Sequence, residues 1–96
     1  MLIARVVGSA VSTAKDERLR GAKLLVVRPA TVADELHGEP LVAVDTVGAG
    51  VGELVLVARG SAARYTAATE DLPTDAAIVG ILDSVEIDGG GSFRKS

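Results

Sequence analysis

The chain has 96 residues and a net charge of −3; 48% of its residues are hydrophobic, with one tyrosine, one phenylalanine, and no tryptophan or cysteine. That length builds one domain, and the lack of cysteine excludes disulfides and thiolate metal sites. An acidic balance with so few aromatic rings argues against a nucleic-acid surface, which needs a basic stripe and stacking platforms.

In chain order, the first apolar run covers residues 2–11 and ends at the charged loop 12–20, STAKDERLR. Residues 23–29 form the second strand, which Pro29 should stop. A surface connection, 31–40, carries Gly38 and Pro40 as turn residues. The third and fourth strands are predicted over 41–47 and 53–59. Gly60-Ser61 then opens a short α-helix over 61–69 with Ser61 as its N-cap. Residues 72–75 make a turn and 76–87 the last strand, after which Gly89-Gly90-Gly91 releases the tail 92–96. Short strands at this spacing, with one helix before the last, predict an all-β fold: a small five-stranded OB-like β-barrel.

Composition adds an expectation about assembly. A folded monomer of this size exposes roughly 5,000 Å² and encloses only a modest core. The Val, Ala, Leu and Ile content exceeds what that core uses, and oligomerisation is a common remedy. The fourth strand sharpens the point, because Leu54, Leu56 and Ala58 lie on one face and Val55 and Val57 on the other. One of those faces is expected to meet a second copy of the chain. The opening MLIARVVGSAV lacks the charged start and cleavage site of a signal peptide, and no run approaches the ~20 apolar residues of a membrane helix. A cytoplasmic, soluble protein with no membrane segment is the expectation.

Several residues ask for a role. Alternation places Asp83 on one face with Val79, Ile81, Val85 and Ile87, and Arg5 with Ile3, Val7 and Val11. Such charges either reach water at a barrel rim or pair, within or between subunits. Gly48-Ala49-Gly50-Val51-Gly52 superficially suggests a phosphate loop. However, Glu53 stands where the dinucleotide fingerprint needs glycine, and a strand follows instead of a helix. Glycine here supplies backbone freedom, either for a tight inter-strand loop or for a loop packed against its symmetry mates. Arg64 occupies the capping-box position of the predicted helix, where a cation opposes the helix dipole. It is either solvated or held by a carboxylate such as Glu53, Asp45 or Asp75, on its own or a neighbouring subunit.

Catalytic readings find no support. His37 is the only histidine and has no metal-ligand spacing around it. The carboxylates Asp34, Glu35, Glu39, Asp45, Glu53, Asp75 and Asp83 form no recognisable acid/base pair, and Ser61 and Ser84 lack a histidine partner. Lys15, Arg18, Arg20 and Lys23 are interleaved with Asp16 and Glu17, the pattern of a solvated loop. No catalytic, cofactor or metal residue is assigned. The rival reading is an OB-like module that binds single-stranded nucleic acid or a small ligand.

Taken together, Asp45-Thr-Val-Gly-Ala-Gly-Val-Gly-Glu53, Gly60-Ser-Ala-Ala-Arg64 and Pro73-Thr-Asp-Ala-Ala-Ile-Val-Gly-Ile-Leu-Asp83 resemble the pentameric vertex proteins of bacterial microcompartments, the EutN/CcmL family. Ile3-Ala-Arg-Val-Val-Gly8 and Leu24-Leu-Val-Val-Arg28 fit as well, so the similarity spans nearly the whole chain. The match is weakest over 12–20 and 31–40. The resemblance implies a non-catalytic β-barrel assembling as a cyclic homopentamer. Such pentamers sit at the five-fold vertices of a polyhedral shell tiled by hexameric proteins and enclosing enzymes. It also implies that Gly48, Gly50, Gly52, Glu53, Ser61 and Arg64 lie in or near subunit contacts. Asp45, Leu54, Leu56 and Asp83 join that set on the arguments above. The expected division is a vertex domain over 1–91 and a tail over 92–96. Phe93 in that tail is expected to anchor an ordered strand on its own or a neighbouring barrel, or to meet a shell hexamer.

Overall fold

Strands with one apolar face each can bury it by curling the sheet until its edges meet, and that is how this chain solves its core. The computed structural model describes residues 1–11, 22–31, 35–64, 74–87 and 90–94. Within them run β1 (Leu2–Ala10), β2 (Leu24–Pro29), β3 (Leu41–Asp45), β4 (Leu54–Arg59), β5 (Ala76–Ile81), β6 (Ser84–Ile87) and β7 (Gly90–Arg94). The first five close into a barrel in the order β1-β2-β3-β5-β4. Neighbours are antiparallel except β3 and β5, which run parallel through Val44↔Ala77 and Asp45↔Ile78. The expected all-β, OB-like five-stranded barrel is therefore the observed architecture.

Two irregularities help so short a sheet to close. The β1–β2 register shifts between Val6 and Gly8, and the β4–β5 register shifts between Leu56 and Val57. An extra residue on one strand bends it and increases its twist. The interior is narrow and filled mainly by small side chains: Ala4, Val6, Leu25, Val27, Ala43, Val55, Val57, Ala76 and Ile78 are buried together. Leu2, Leu41 and Ile81 pack at its margins.

The structure departs from expectation at four places. The predicted strand 76–87 breaks in two: Leu82 N donates to Leu54 O at 2.9 Å as the last link to β4, and Asp83 is exposed at the bend that follows. An uncompensated carboxylate on an apolar face would be costly, and the break carries Asp83 out to water. β6 then pairs with β7, so Gly90 and Gly91 belong to a hairpin strand and do not release a free tail. The expected helix over 61–69 is described only as a 3-10 turn, Gly60–Arg64; residues 65–69 lie outside the described residues, as does the 12–20 loop. Finally, β4 leaves little for a neighbour. Leu54, Val55, Val57 and Ala58 are all buried within the one chain, the 3-10 turn packs back on β4 and β5 with its Ala63 buried, and only Leu56 stays half-exposed.

Because Leu25 is among the largest fully enclosed side chains, Leu25→Ala is expected to cost about 2–5 kcal/mol, read as a lowered midpoint in urea denaturation.

Candidate functional site

The segment joining β3 to β4, residues 46–53, is built around the carboxylate of Asp45. Its Oδ1 accepts from Val47 N at 3.1 Å and its Oδ2 from Ala49 N at 3.0 Å. An aspartate that caps the amides following it is a standard way to start a turn. Lys23, just before β2, approaches Asp45 Oδ2 at 3.4 Å and donates to Ala49 O at 2.9 Å. The Asp45 side chain is only 1% exposed while that of Lys23 is 55% exposed, so the lysine serves the buried anion from the water side. Ala49, gripped by both its N–H and its carbonyl, sits fully buried in the barrel core.

The rest of the loop is fastened as closely. Thr46 Oγ1 donates to Ile78 O at 2.7 Å, tying the loop to β5. Glu53 Oε1 accepts from Gly50 N at 2.7 Å, and Glu53 N donates to Gly50 O at 3.1 Å. Gly52 N donates to Val6 O, and Val6 N to Glu53 O, which extends the β1 pairing into the loop. Arg5 Nη1 reaches Gly52 O at 3.0 Å. Gly48 and Gly52 hold φ of 78° and 93°, conformations that L side chains rarely adopt. The outcome is a rigid loop that presents Val47 and Val51, 39% and 65% exposed, to solvent.

Strand direction decides which proposed contact residues meet. Gly48, Gly50, Gly52 and Glu53 precede β4, and Ser61 and Arg64 follow it, so six strand residues, about 17–20 Å, separate the two groups. Asp45 is already spent inside its loop. Asp75 alone of the three suggested carboxylates stands at the turn: its carbonyl accepts from Gly60 N at 2.8 Å and the residue is exposed. Asp83 and Arg5 both come to the glycine-loop end: Arg5 is registered with Leu54, and Leu82, just before Asp83, donates to Leu54 O. Leu54 itself is 1% exposed and offers no surface, which removes it from the contact set. Ser61 is exposed on the 3-10 turn. His37 is exposed, with its N–H on Pro29 O. Among the described residues no group of three or more His, Asp or Glu side chains is placed to hold a metal ion.

Sequence reasoning missed Val47, Val51 and Lys23. A signal existed for Val51, since a valine set between two glycines in a loop has no strand face to fill; Val47 was read as the end of the third strand. Lys23 was grouped with the solvated loop because its partner is distant in sequence.

Comparison with known proteins agrees with this geometry. The family model described as ethanolamine utilisation protein EutN/carboxysome matches residues 1–83, which is the barrel. The carboxysome shell vertex protein CcmL of Synechocystis sp. is 46% identical over 99 residues, covering 99% of this chain and 95% of that protein. Among solved structures, CcmL of Nostoc sp. superimposes with a TM-score of 0.86 at 46% identity, covering 92% of this chain and 93% of that one. The GrpN pentameric microcompartment shell protein from Rhodospirillum rubrum gives 0.79 at 47% identity, covering 93% and 100%. The chain belongs to the EutN/CcmL family.

Removing the central acceptor is expected to loosen the loop. Asp45→Ala leaves the Val47 and Ala49 amides without their partner, at about 1–3 kcal/mol, and should speed hydrogen exchange at those two amides while Val27 and Val57 stay protected.

Proposed function

We propose that this chain assembles head-to-tail into a cyclic homopentamer that caps the five-fold vertices of a polyhedral bacterial microcompartment shell in the cytoplasm, and that it acts through shape without catalysing a reaction. The observation that carries this reading is the fit, over the whole length of GrpN, to a pentameric shell protein at 47% identity. The vertex names of the CcmL and GrpN relatives point the same way.

The protomer has what a ring requires. A cyclic assembly of odd number uses heterologous contacts, in which one patch meets a different patch on the next copy. The two ends of β4 carry unlike features: a rigid glycine loop tipped by valines at one, the 3-10 turn with Ser61 and Arg64 at the other. In the ring, Gly48, Gly50, Gly52, Glu53, Leu56, Ser61, Arg64 and Asp83 supply contacts, with Asp45 holding the loop from inside. Arg64 pairs with a carboxylate such as Asp75, its own or the next subunit's, because guanidinium grips carboxylate in a planar fork. Five chains at −3 each repel one another's rings and discourage stacking of free pentamers. A five-membered unit among flat six-membered tiles forces curvature, so the partners of the ring are hexameric shell proteins.

Co-expression with hexameric shell proteins tests this role. Electron microscopy is expected to show closed polyhedra with the chain and open or elongated shells without it. Val51→Asp, which leaves the barrel core untouched, should keep the fold and shift the chain toward free protomers. Closed shells formed equally well without the chain would contradict the reading.

A further inference from the structure

One side of the barrel wall carries a charge opposite to that of the whole chain. Ala4, Val6, Leu25, Val27 and Ala43 fill the interior, so their strand neighbours Arg5, Val26, Arg28 and Val42 point outward. The register sets Arg5 directly against Arg28. Two like charges facing each other across a strand pair are unfavourable, and they occur here in a chain of net charge −3. The only carboxylate that β1, β2 or β3 carries is Asp45, whose side chain is 1% exposed and occupied inside its loop. Arg5 Nη1 donates to Gly52 O and Arg28 Nε to Gly38 O, each at 3.0 Å. Among the described residues that neutral carbonyl is the one acceptor Arg28 has, so both of its Nη groups remain available.

The row beside these cations is apolar and open. The register places Gly8, Val26 and Val42 side by side across β1, β2 and β3. Val42 is 50% exposed and Val7, at the β1 bulge, 42%: these are the two large apolar side chains most exposed on the described barrel strands. Gly8, lacking a side chain, keeps the row flat beside Val26. Since Val26 and Arg28 are two residues apart on one strand, the apolar row lies about 7 Å from the cationic one.

We propose that this face docks an acidic amphipathic helix of another protein, with its carboxylates on Arg28 and Arg5 and its aliphatic side chains on Val7, Val26 and Val42. Charge complementarity selects an acidic partner, and the apolar row selects one whose aliphatic side chains stand about one helical turn from its carboxylates. β2, at the centre of the face, is paired with β1 along one edge and β3 along the other. A partner therefore cannot add there as a strand and must arrive with its backbone already satisfied, as a helix does. Among the described residues this chain has no α-helix to offer, which directs the site to a different polypeptide. The ring contacts proposed above use the two ends of β4 and Leu56, so this face adds to that reading without resting on it.

The probe is a fluorescein-labelled synthetic helix of about four turns, with leucine along one stripe and glutamate beside it. A counterpart carries lysine in place of glutamate. Fluorescence anisotropy is read against the unmodified chain and against Arg28→Gln and Val42→Glu, while circular dichroism and native mass spectrometry report fold and copy number. The expected result is saturable binding of the glutamate helix that weakens as salt rises. Binding should be about tenfold or more weaker for the lysine helix and for either variant. On the unmodified chain, the amide resonances of Gly8, Val26 and Val42 should shift on binding while those of Gly48 and Gly52 hold. Equal binding of the two helices, no saturable binding of the glutamate helix, or variants that bind as well as the unmodified chain overturn the proposal. A changed copy number for folded Val42→Glu means that a second copy of the chain covers the face, which also overturns it. If Val42→Glu does not fold, Arg28→Gln decides alone.

Discussion

The buried carboxylate of Asp45 sets the form of one whole end of this barrel. Taking a charge out of water is expensive, and the chain offsets the cost with two backbone amides and the Lys23 ammonium. Those same bonds hold Ala49 in the core. β3 and β5 meet along only two registered pairs, the thinnest seam of the closed sheet, and the same loop braces it through the Thr46–Ile78 bond. The loop is thus a structural extension of the barrel, and its order does not depend on a partner.

That order bears on assembly. A flexible loop carrying Val47 and Val51 would lose conformational freedom on forming a contact, and the loss would weaken association. Here the positive-φ glycines, the Glu53–Gly50 bond and the Arg5–Gly52 bond hold the backbone before any neighbour arrives. In the proposed ring, exposed valines held this way would meet the next subunit at little further entropic cost. A protomer so built has its specificity in shape: rigid unlike surfaces at fixed angles close a ring of defined size, where soft ones would give a range of oligomers.

Much of the barrel was legible because β1 to β4 are short apolar runs bounded by turn residues such as glycine and proline. The reading failed where a local pattern continued past a tertiary event. The apolar positions keep their alternation from Val79 to Ile87 on either side of Asp83, so the odd charge was read as a rim or paired residue within one strand; the break there coincides with the end of the β4 pairing at Leu54. Three glycines suggested a free tail, but pairing to β6 draws Gly90 and Gly91 into a strand. The doubly apolar β4 was rightly seen as needing cover on both faces, yet the cover comes largely from its own chain, through the barrel interior and the 3-10 turn. At the site, the glycines were found by type and Asp45 by proximity. Asp45 was offered as one possible carboxylate partner of Arg64; its cap on the loop amides that follow was not foreseen, although an aspartate before a glycine loop commonly plays that part.

The central claim is that leftover apolar surface on this small barrel is hidden by closing five copies into a ring. Native mass spectrometry of the purified chain at micromolar concentration tests it most directly. The account predicts a single species of five chains, and a well-behaved single protomer under those conditions would contradict it.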